Sequence, residues 1–364
     1  MKEIRVLHVD AERGWRGGQQ QACYIHEGLV NAGVHSDFAC RTGSKLEQRL
    51  KKANLPYKTF PYFGEADLFS AISLAAYSRK HKISILHLHS SHALSWGLTA
   101  KFFMPKLKLI AARRVDFHIG KNILSRRKYF HPKLDAIVAI SDNIRQVLIS
   151  DGIAADRIHL IHSGVDIHRF EDAFVPDDFR ARWGIPEKAL IVGTIAALVG
   201  HKDYPNFIQA AALAIAQNPL LYFIAVGSGE KMHQIKALAR DLGIMGNITF
   251  TGAQKEVGSL MKAFDIFVLA SKKEGLGTSV LDAMSVGKPV IGSRAGGIPE
   301  MIIDSENGLL VDKQNPQQLA EAILRLAQDQ KLRDQLGSAA RERVKLFSRE
   351  EMIRKNLELY QRLL

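Results

Sequence analysis

Residues 266–289 read IFVLASKKEGLGTSVLDAMSVGKP. The apolar run Ile266–Leu269 predicts a buried strand. A turn with two glycines, Gly275 and Gly277, then leads into a run that predicts a helix from Thr278. Glycine lets a backbone approach a ligand closely, and the first amides of a helix are free to bind a phosphate. The stretch therefore predicts a strand–loop–helix unit of a parallel α/β sheet, with an anion-binding loop.

Two acidic residues, Glu274 and Asp282, flank this predicted helix start. Glu274 lies in the loop. Asp282 follows Thr278 by four residues, so Thr278 and Asp282 lie on one face of the predicted helix. Ionised carboxylates beside an anion site suit hydrogen bonds from the hydroxyl pairs of a sugar and a ribose. They suit the acid and nucleophile of a glycosidase less well. The alternative is a glycine-rich turn with a solvated glutamate and a surface aspartate.

Short apolar runs alternate with longer amphipathic ones, which is typical of βαβ units and parallel sheets. The predicted strands are Ile4–Val9, Ser36–Ala39, Ile85–His89, Leu107–Ala112, Ala136–Ile140, Leu190–Ile195, Tyr222–Val226, Ile248–Thr251, Ile266–Leu269 and Val290–Ile291. The predicted helices include Gly18–Ala32, Ala66–Lys80, Tyr204–Ala216, Lys231–Leu242, Pro316–Leu326 and a terminal helix within Ser348–Leu364. The pattern predicts an α/β fold with two doubly wound, Rossmann-like parallel-sheet domains facing a central cleft.

The polar, proline-containing stretch Phe170–Lys188 is the predicted linker, which gives a first domain of residues 1–170 plus 348–364 and a second of residues 171–347. A chain of 364 residues with 46% hydrophobic and 24% charged residues suits two globular domains. It has no apolar run of the ~18 residues that a membrane span needs, and no signal-peptide core. We therefore expect a soluble, cytoplasmic protein. Two cysteines make neither a disulfide framework nor a zinc cluster.

The net charge of +13 is concentrated in the first half of the chain. Residues 1–170 carry 26 Lys and Arg against 14 Asp and Glu, a surplus of 12. Segments 101–108 and 121–130 mix basic with large apolar residues, as segments that face anionic lipid do. The charge therefore indicates an anionic membrane surface or an acidic acceptor, or else an ordinary solvated basic face. Nucleic acid is disfavoured, because no helix-turn-helix, RNP or zinc motif accompanies the charge.

Taken together, these motifs resemble glycosyltransferase family 4, a large family of retaining enzymes with the GT-B fold. Residues 271–289 resemble its E-x7-E region, and Gly17-Gly18 before a helix resembles its first glycine loop. Further matching fragments follow in order: Ser163–Asp166, Phe170, Gly227–Gly229, Phe250–Gly252, Gly296–Glu300 and Asn307–Val311. The resemblance implies a glycosyltransferase that uses a nucleotide-diphosphate sugar. With the basic first domain, it also implies a lipopolysaccharide or other envelope glycan or glycolipid as acceptor, at the inner face of the cytoplasmic membrane.

The resemblance also implies roles for single residues. Glu274 would hold the donor sugar's hydroxyls, and Asp282 would bind the ribose, although the family usually has the longer Glu there. Lys202 matches the family's phosphate-binding lysine. The diphosphate would face the backbone of two loops, made by Gly17 and Gly18 in the first domain and by Gly275, Leu276, Gly277 and Thr278 in the second.

One departure from the family pattern concerns charge. The arginine that is common five residues before the lysine is Ala197 here. Losing one transition-state electrostatic contact typically costs about 3–4 kcal/mol. We expect a cation of the first domain, Arg16, Arg113 or Arg114, to take its place.

A second departure follows the predicted strand Leu107–Ala112. The family often has a histidine there that contacts the donor sugar near the reacting carbon. This chain has Arg114, Asp116 and His118 as candidates, of which His118 is closest in type and Arg114 is closest in register. His118, Lys202 and Glu274 are the residues that we expect to carry catalysis.

No metal or cofactor is expected for the transfer. Asp10-Ala-Glu12 is the nearest approach to an Asp-x-Asp metal motif, and Gly227–Gly229 lacks the third glycine of a dinucleotide fingerprint. His87, His89 and His92 lack a carboxylate partner and are expected to line the interdomain cleft rather than hold zinc. Two alternatives remain open, a nucleotide-sugar-binding protein without transferase activity and a GT-B nucleotide-sugar epimerase. The donor, the acceptor and the oligomeric state are not determined by the sequence.

Overall fold

A computed structural model describes residues 3–61, 63–64, 67–120 and 123–364, without the side chain of Leu124. The chain divides into two compact units, of which the first comprises the residues up to Gly164 together with Arg349–Leu364. The second unit is Val165–Ser348. The division therefore lies six residues before the predicted boundary, and residues 165–170 pack with the second unit. Among the helices of the described residues, none combines the length and the apolar character that crossing a membrane requires.

The first unit contains a parallel sheet with seven described strands in the order β3-β2-β1-β4-β5-β6-β7. The strands are β1 (Arg5–Asp10), β2 (His35–Arg41), β3 (Tyr57–Phe60), β4 (Ile85–Leu88), β5 (Lys108–Arg113), β6 (Ala136–Ala139) and β7 (Ile158–Leu160). The helices are α1 (Gly17–Asn31), α2 (Lys45–Lys52), α3 (Leu68–Lys80), α4 (Ser91–Phe103), α5 (Ile123–Tyr129), α6 (Asp142–Ser150) and, from the end of the chain, α15 (Arg349–Leu363). In register, Val6 lies opposite Ser36 on one side and Ile85 on the other.

The core of this unit explains why strands and helices form where they do. β4 and β6 are buried along their whole length, as strands covered by helices on both faces are. The terminal helix α15 contributes Met352, Leu359 and Tyr360 to the same cluster as Val6 and other strand residues. Its apolar face thus replaces solvent at the sheet of the first unit.

The second unit contains a parallel sheet with six described strands in the order β10-β9-β8-β11-β12-β13. The strands are β8 (Leu190–Ile195), β9 (Leu221–Val226), β10 (Ile248–Gly252), β11 (Ile266–Leu269), β12 (Val290–Ser293) and β13 (Leu309–Val311). The helices are α7 (Phe179–Trp183), α8 (Tyr204–Gln217), α9 (Met232–Asp241), α10 (Gly258–Ala263), α11 (Thr278–Ser285), α12 (Ile298–Met301), α13 (Pro316–Gln328) and α14 (Gln330–Arg343). β11 pairs with β8 at Ile266 and Val192.

Both sheets are doubly wound, which confirms the predicted fold class. The strand order reverses between β1 and β4 in the first unit, and between β8 and β11 in the second. Ligands of such sheets bind beyond the carboxyl ends of the strands, at the point of reversal. Each unit therefore has its own candidate crevice. The loops after β1 and β4 form that of the first unit, and the loops after β8 and β11 form that of the second.

The predicted elements match the observed ones closely, apart from the shortest. β8 and β11 have the predicted bounds, whereas β3, β7 and β13 were not predicted. β7 and β13 have only three residues each, and β3 (Tyr-Lys-Thr-Phe) is partly exposed and contains no apolar run. Asn315 is the N-cap of α13, since its side chain accepts from the Gln318 amide at 3.0 Å. Ala66 of the predicted helix Ala66–Lys80, and Lys121 and Asn122 of the basic segment 121–130, lie outside the described residues.

The predicted linker Phe170–Lys188 is folded instead onto the second unit. Phe170, Phe179 and Ile185 are buried, and the short helix α7 ends at Gly184 in the left-handed region, with φ = +66°. The Arg180 guanidinium also donates to the carbonyl of Pro186 at 2.8 Å. The two prolines and five acidic residues of the stretch indicate a linker, whereas its buried apolar side chains anchor it to the second unit.

Candidate functional site

Lys202 and Glu274 meet at the strand reversal of the second unit. Lys202 ends a 3-10 turn after β8, and Glu274 lies in the loop after β11. The Lys202 ammonium binds Glu274 Oε2, and the Ser271 hydroxyl donates to the same oxygen at 3.2 Å. The Lys202 and Glu274 side chains are 16% and 13% exposed. The two residues expected to hold the phosphate and the sugar therefore lie together, and Ser271 is a neighbour that the sequence did not reveal.

Backbone contacts fix the loop of Lys202 relative to that of Glu274. The Lys272 amide donates to the His201 carbonyl at 2.9 Å, so the residues next to the ion pair are bonded to each other. The Tyr204 hydroxyl donates to the Ala196 carbonyl at 2.9 Å, which ties the start of the loop to α8. This arrangement keeps the pair in place without help from a ligand.

Two glycines are required for the position of Glu274. Gly277 has φ = +94°, and a Cβ there would lie 3.2 Å from Glu274 Cγ. Gly296 has φ = +52°, and a Cβ there would lie 1.7 Å from the Glu274 carbonyl oxygen. Gly277 was predicted as part of the site. In the sequence, Gly296 stands out only as part of a family motif, because its close approach to Glu274 joins positions 22 residues apart along the chain.

The start of α11 provides the expected anion-binding backbone. Gly277 is the N-cap of α11, and the first amides of a helix have no intrahelical acceptor. The helix dipole favours an anion at this end by about 0.3–1 kcal/mol. Gly275 and Thr278 are half-buried, whereas the Leu276 side chain is buried, so Leu276 offers a ligand its main chain only.

Asp282 lies one turn further along α11 and is 18% exposed. Burial raises the pKa of its carboxyl to about 6, although Arg169 opposes this shift. Arg169 Nη1 lies 3.6 Å from Asp282 Oδ2. The carboxylate is thus ionised only above about pH 6, and Arg169 is a neighbour that the sequence did not reveal.

Arg114 directly follows β5 and reaches the residues at the strand reversal of the first unit. Its Nη2 lies 3.2 Å from His89 Nδ1, and its Cδ would lie 3.3 Å from a Cβ at Gly18, in the first turn of α1. Burial lowers the pKa of Arg114 to about 10, which still leaves it charged at neutral pH. Its Nε and Nη1 are buried and have no hydrogen-bond partner among the described residues. A guanidinium with unused donors beside a helix start is suited to bind an anion.

Arg114 also determines the protonation of two buried histidines. A guanidinium only donates, so His89 Nδ1 accepts and its Nε2 carries the proton. That Nε2 donates to His8 Nδ1 at 2.9 Å. Burial holds the pKa of both rings well below the usual value, so both are neutral. Arg114, His89 and His8 therefore form one ordered chain of hydrogen bonds, in which His8 was not predicted to take part.

The structure does not support the expected cleft-lining role of the histidines on β4 and after it. His87 and His89 are buried inside the first unit, and His87 Nδ1 lies 2.6 Å from the hydroxyl of Tyr360 on α15. His92 is separate from them and lies 3.7 Å from Glu12. The expectation was wrong for His87 and His89 because the alternation of a strand does not show whether helices cover both faces.

The loop from β1 to α1 is closed by Asp10 and Gln19. Buried Asp10 accepts from the Glu12 amide at 2.8 Å and from Gln19 Nε2 at 3.0 Å. Gln19 Oε1 accepts from the Arg16 amide at 3.0 Å, while Arg16 and Gly17 are exposed. Asp10 thus shapes the glycine loop, a role that its place in Asp10-Ala-Glu12 did not predict.

His118 and Arg113 lie near the end of β5 with partners of their own. The His118 side chain is 67% exposed, and its Nδ1 lies 2.8 Å from Asp151 Oδ1. Arg113 donates to the Phe117 carbonyl and lies over the Tyr129 ring, 5.2 Å from its centroid. The structure therefore brings Arg114, and not His118 or Arg113, to the buried group of His89 and Gly18.

Known proteins show the same organisation. The family model described as "Glycosyltransferase Family 4" matches residues 15–169, and that described as "Glycosyl transferases group 1" matches residues 176–343. The lipopolysaccharide core biosynthesis glycosyltransferase LpsE of Rhizobium meliloti is 33% identical over 181 residues, which are 50% of this chain and 52% of that protein. The chain thus spans about half the length of this relative.

Two solved structures share the fold. A glycosyltransferase from Rickettsia africae has a TM-score of 0.89 at 22% identity, covering 100% of this chain and 99% of its own. Anabaena Alr3699/HepE in complex with UDP has a TM-score of 0.87 at 18% identity, covering 98% of this chain and 100% of its own. These similarities confirm the GT-B fold. With two family models that together match most of its length, the chain belongs to glycosyltransferase family 4.

Proposed function

We propose that this chain transfers a sugar from a nucleotide-diphosphate sugar to a glycan or glycolipid of the cell envelope, with retention of anomeric configuration and without a metal ion. The observation that carries the proposal is the enclosed pair of Lys202 and Glu274 at the strand reversal of the second unit, beside the free amides of α11. A cation, a helix start and a carboxylate are the groups that a diphosphate and a sugar require.

In the proposed reaction, the bond from the anomeric carbon to the diphosphate breaks as the acceptor hydroxyl oxygen bonds to that carbon on the same face, and the hydroxyl proton passes to the leaving diphosphate. The diphosphate gains negative charge as it leaves, and Lys202 with the first amides of α11 stabilises it. Glu274 accepts hydrogen bonds from hydroxyls of the sugar, and Asp282 accepts them from the ribose. On donor binding, Lys202 exchanges part of its contact with Glu274 for one with a phosphate.

We propose that Arg114 supplies the positive charge of the arginine that the family usually has at position 197. Position 197 is exposed and carries no charge, whereas Arg114 has two nitrogens without a partner among the described residues. We expect Arg114→Gln to lower kcat by about 100-fold or more, as the loss of one oxyanion donor does. Adding Ala197→Arg to this variant should recover part of the activity. Unchanged turnover in Arg114→Gln would reject the role.

A panel of nucleotide sugars tests the donor site. UDP-sugars come first, because the similar Anabaena protein was solved with UDP. A ligand at 100 times its dissociation constant stabilises the protein by about 2.7 kcal/mol, which thermal unfolding detects. We expect Glu274→Gln and Lys202→Ala to abolish the stabilisation, and the exposed α14 variant Lys331→Ala to keep it. If no nucleotide sugar stabilises the chain, the donor site is refuted.

Release of nucleoside diphosphate distinguishes transfer from the two alternatives. A transferase releases it only when an acceptor fraction is added, and the product's anomeric configuration then shows retention or inversion. A protein that only binds the donor releases none. An epimerase alters the sugar without an acceptor.

The acceptor class follows from the relatives and from the surface of the first unit. LpsE acts in lipopolysaccharide core biosynthesis by its name, which makes an envelope glycolipid the first acceptor to test. Helices α3 and α4 pack together and expose Phe69, Ile72, Phe102 and Phe103. Lys133 lies over the Phe102 ring, 3.3 Å from its centroid. We propose that this apolar and basic surface rests on an anionic membrane.

Sedimentation with vesicles tests the membrane proposal. We expect the chain to bind vesicles that contain anionic phospholipid and to leave them at high salt, because charge attraction is screened. The double variant Phe102→Ser and Phe103→Ser should lose binding but keep its response to nucleotide sugars. Equal binding of wild type and variant would refute this surface.

A further inference from the structure

At the amino-terminal end of β2, away from the candidate donor residues, lies a second group of chemically active side chains. His35 and Asp37 stand two residues apart at the start of β2, so their side chains lie on one face of the strand. His81 directly follows α3. One ligand atom from each of the three residues lies within 4.8 Å of the others.

A close His35–Asp37 contact, one hydrogen bond and ring stacking hold this group in place. His35 Nε2 lies 3.3 Å from Asp37 Oδ2, and the Tyr77 hydroxyl donates to the same oxygen at 3.2 Å. The His81 ring stacks on the Tyr77 ring, with centroids 4.1 Å apart and planes at 19°. Outer contacts of this kind orient metal ligands in proteins. Tyr77 thus orients both the Asp37 carboxylate, by a hydrogen bond, and the His81 imidazole, by stacking.

Two further observations point to a ligand. His35 Nε2 is buried and has no hydrogen-bond partner among the described residues that meets the geometry of a full bond. A cavity of about 810 Å³ also reaches His35 and Asp37 and connects them to solvent. The nearby cation Arg5 is paired with Glu3 at 2.9 Å, which offsets its charge. The group therefore has an available nitrogen, a carboxylate and an entry path.

From this geometry we propose that His35, Asp37 and His81 bind a divalent transition-metal ion, with zinc as the best match. Two imidazoles and one carboxylate are a common ligand set for such ions. Zinc holds such atoms at about 2.0–2.2 Å, so binding requires the three ligand atoms, now within 4.8 Å of one another, to draw closer together around the ion. Water completes the coordination through the cavity.

The buried cluster of His8, His87 and His89 is the competing site and is chemically poorer. Its ligand atoms also lie within 4.8 Å of one another. It contains no carboxylate, however, and the Arg114 guanidinium lies 3.2 Å from His89. A dication there would be buried beside a cation, and the cluster itself supplies no carboxylate ligand to offset the charge, which is unfavourable.

The proposed ion stabilises the first unit and takes no part in sugar transfer. His35 begins β2, whereas the candidate donor residues of this unit follow the carboxyl ends of β1 and β5. A strand of six or seven residues separates its amino-terminal end from its carboxyl end by about 20 Å. Chelation should therefore lower the melting temperature of the first unit and leave transfer intact.

Cobalt absorption and zinc calorimetry test the site on the whole chain, freed of metal by a chelator and carrying no histidine tag. We expect one Co²⁺ per chain with visible d–d bands, which Zn²⁺ abolishes. Asp37→Asn keeps the shape of the side chain and should weaken zinc binding by more than ~100-fold, beyond the effect usual for outer-shell changes. His81→Ala should do the same. His159→Ala, on β7 of the same unit, is the matched control and should bind as wild type does.

Thermal unfolding separates loss of the site from loss of the fold. Without metal, Asp37→Asn should melt as the metal-free wild type does, and zinc should raise the melting temperature of the wild type only. Equal cobalt spectra in wild type and Asp37→Asn would overturn the proposal. So would a spectrum that disappears in His87→Gln, or a wild type without saturable zinc binding.

Discussion

Asp282 is a carboxyl that the fold holds at a cost. Its pKa of about 6 lies above the usual 3.8 because burial disfavours the charged form. Between about pH 4 and 6 the folded state binds more protons than the unfolded state, so stability decreases as the pH rises through that window. A shift of two units corresponds to about 3 kcal/mol. The destabilising burial of this carboxylate is consistent with its proposed role of accepting hydrogen bonds from the ribose hydroxyls.

The substitution Asp282→Asn tests separately how the Asp282 carboxyl affects stability and how it affects donor binding. We expect the variant to be more stable than wild type at pH 7.5 and to lose most of the decrease between pH 4 and 6, because it does not ionise. It should also bind the nucleotide donor more weakly. Urea unfolding across this pH range and calorimetry with the donor measure both. A variant with the wild-type pH dependence would show that another group titrates.

His89 is expected to position Arg114. Replacing it by Phe leaves a buried guanidinium nitrogen without an acceptor, which costs about 1–3 kcal/mol. We predict that His89→Phe lowers kcat by about tenfold, equivalent to about 1.4 kcal/mol, while the KM for the donor changes less. His89→Gln retains an acceptor and should recover part of the loss. A purely structural histidine would instead lower stability and leave kcat per folded molecule unchanged.

Among the structural elements, the loop after β11 depends most on a distant contact. Gly296 comes from the turn before α12, and its backbone lies against the carbonyl of Glu274. A side chain there would have to displace main chain, in a conformation that L-residues rarely adopt. The donor loop is therefore built from two segments, although Lys202 and Glu274 supply its charges.

Gly296→Ala should displace Glu274 and thereby weaken donor binding by at least about tenfold, which corresponds to about 1.4 kcal/mol. We also expect a loss of stability of about 1–3 kcal/mol from backbone strain and crowding. Gly200→Ala, close to Lys202, is the control, because a Cβ there has no atom within 4 Å. Calorimetry and thermal unfolding of both variants test this. Wild-type affinity in Gly296→Ala would mean that the loop adapts without cost.

For the whole molecule, the path of the last helix matters most. The chain leaves the first unit, builds the second, and returns with α15 to pack on the first sheet. Tyr360 is fully buried there, and its hydroxyl contacts His87. Burial raises the pKa of this phenol, which therefore stays neutral. The end of the chain is thus part of the first core.

Tyr360→Ala should destabilise the first unit by about 3–5 kcal/mol, as the truncation of a large buried ring does. Thermal unfolding of a chain with two units reports a loss of stability but does not assign it to one unit. Hydrogen exchange resolves the units. We expect faster exchange in β1 and β4 and unchanged exchange in β8 and β11. Equal acceleration in both sheets, or none, would contradict the separate cores.

The sequence by itself determined the alternation of strands and helices, the parallel sheets and the loop of Glu274. These depend on local periodicity and on glycines whose effect is felt within a few residues. It also contained the residues that match family 4 in their order. β3 was missed although it is as long as β11, because its sequence Tyr-Lys-Thr-Phe lacks the apolar run that marks a fully buried strand.

Only the tertiary structure decided which side chains meet. Lys202 and Glu274 are 72 residues apart, His8 and His89 are 81, and His87 and Tyr360 are 273. Strand order brings such residues together, and no local pattern encodes it. The same holds for burial: it selected Arg114 over His118 as the residue beside Gly18, because the packing of helices on the sheet decides which side chains lose contact with water.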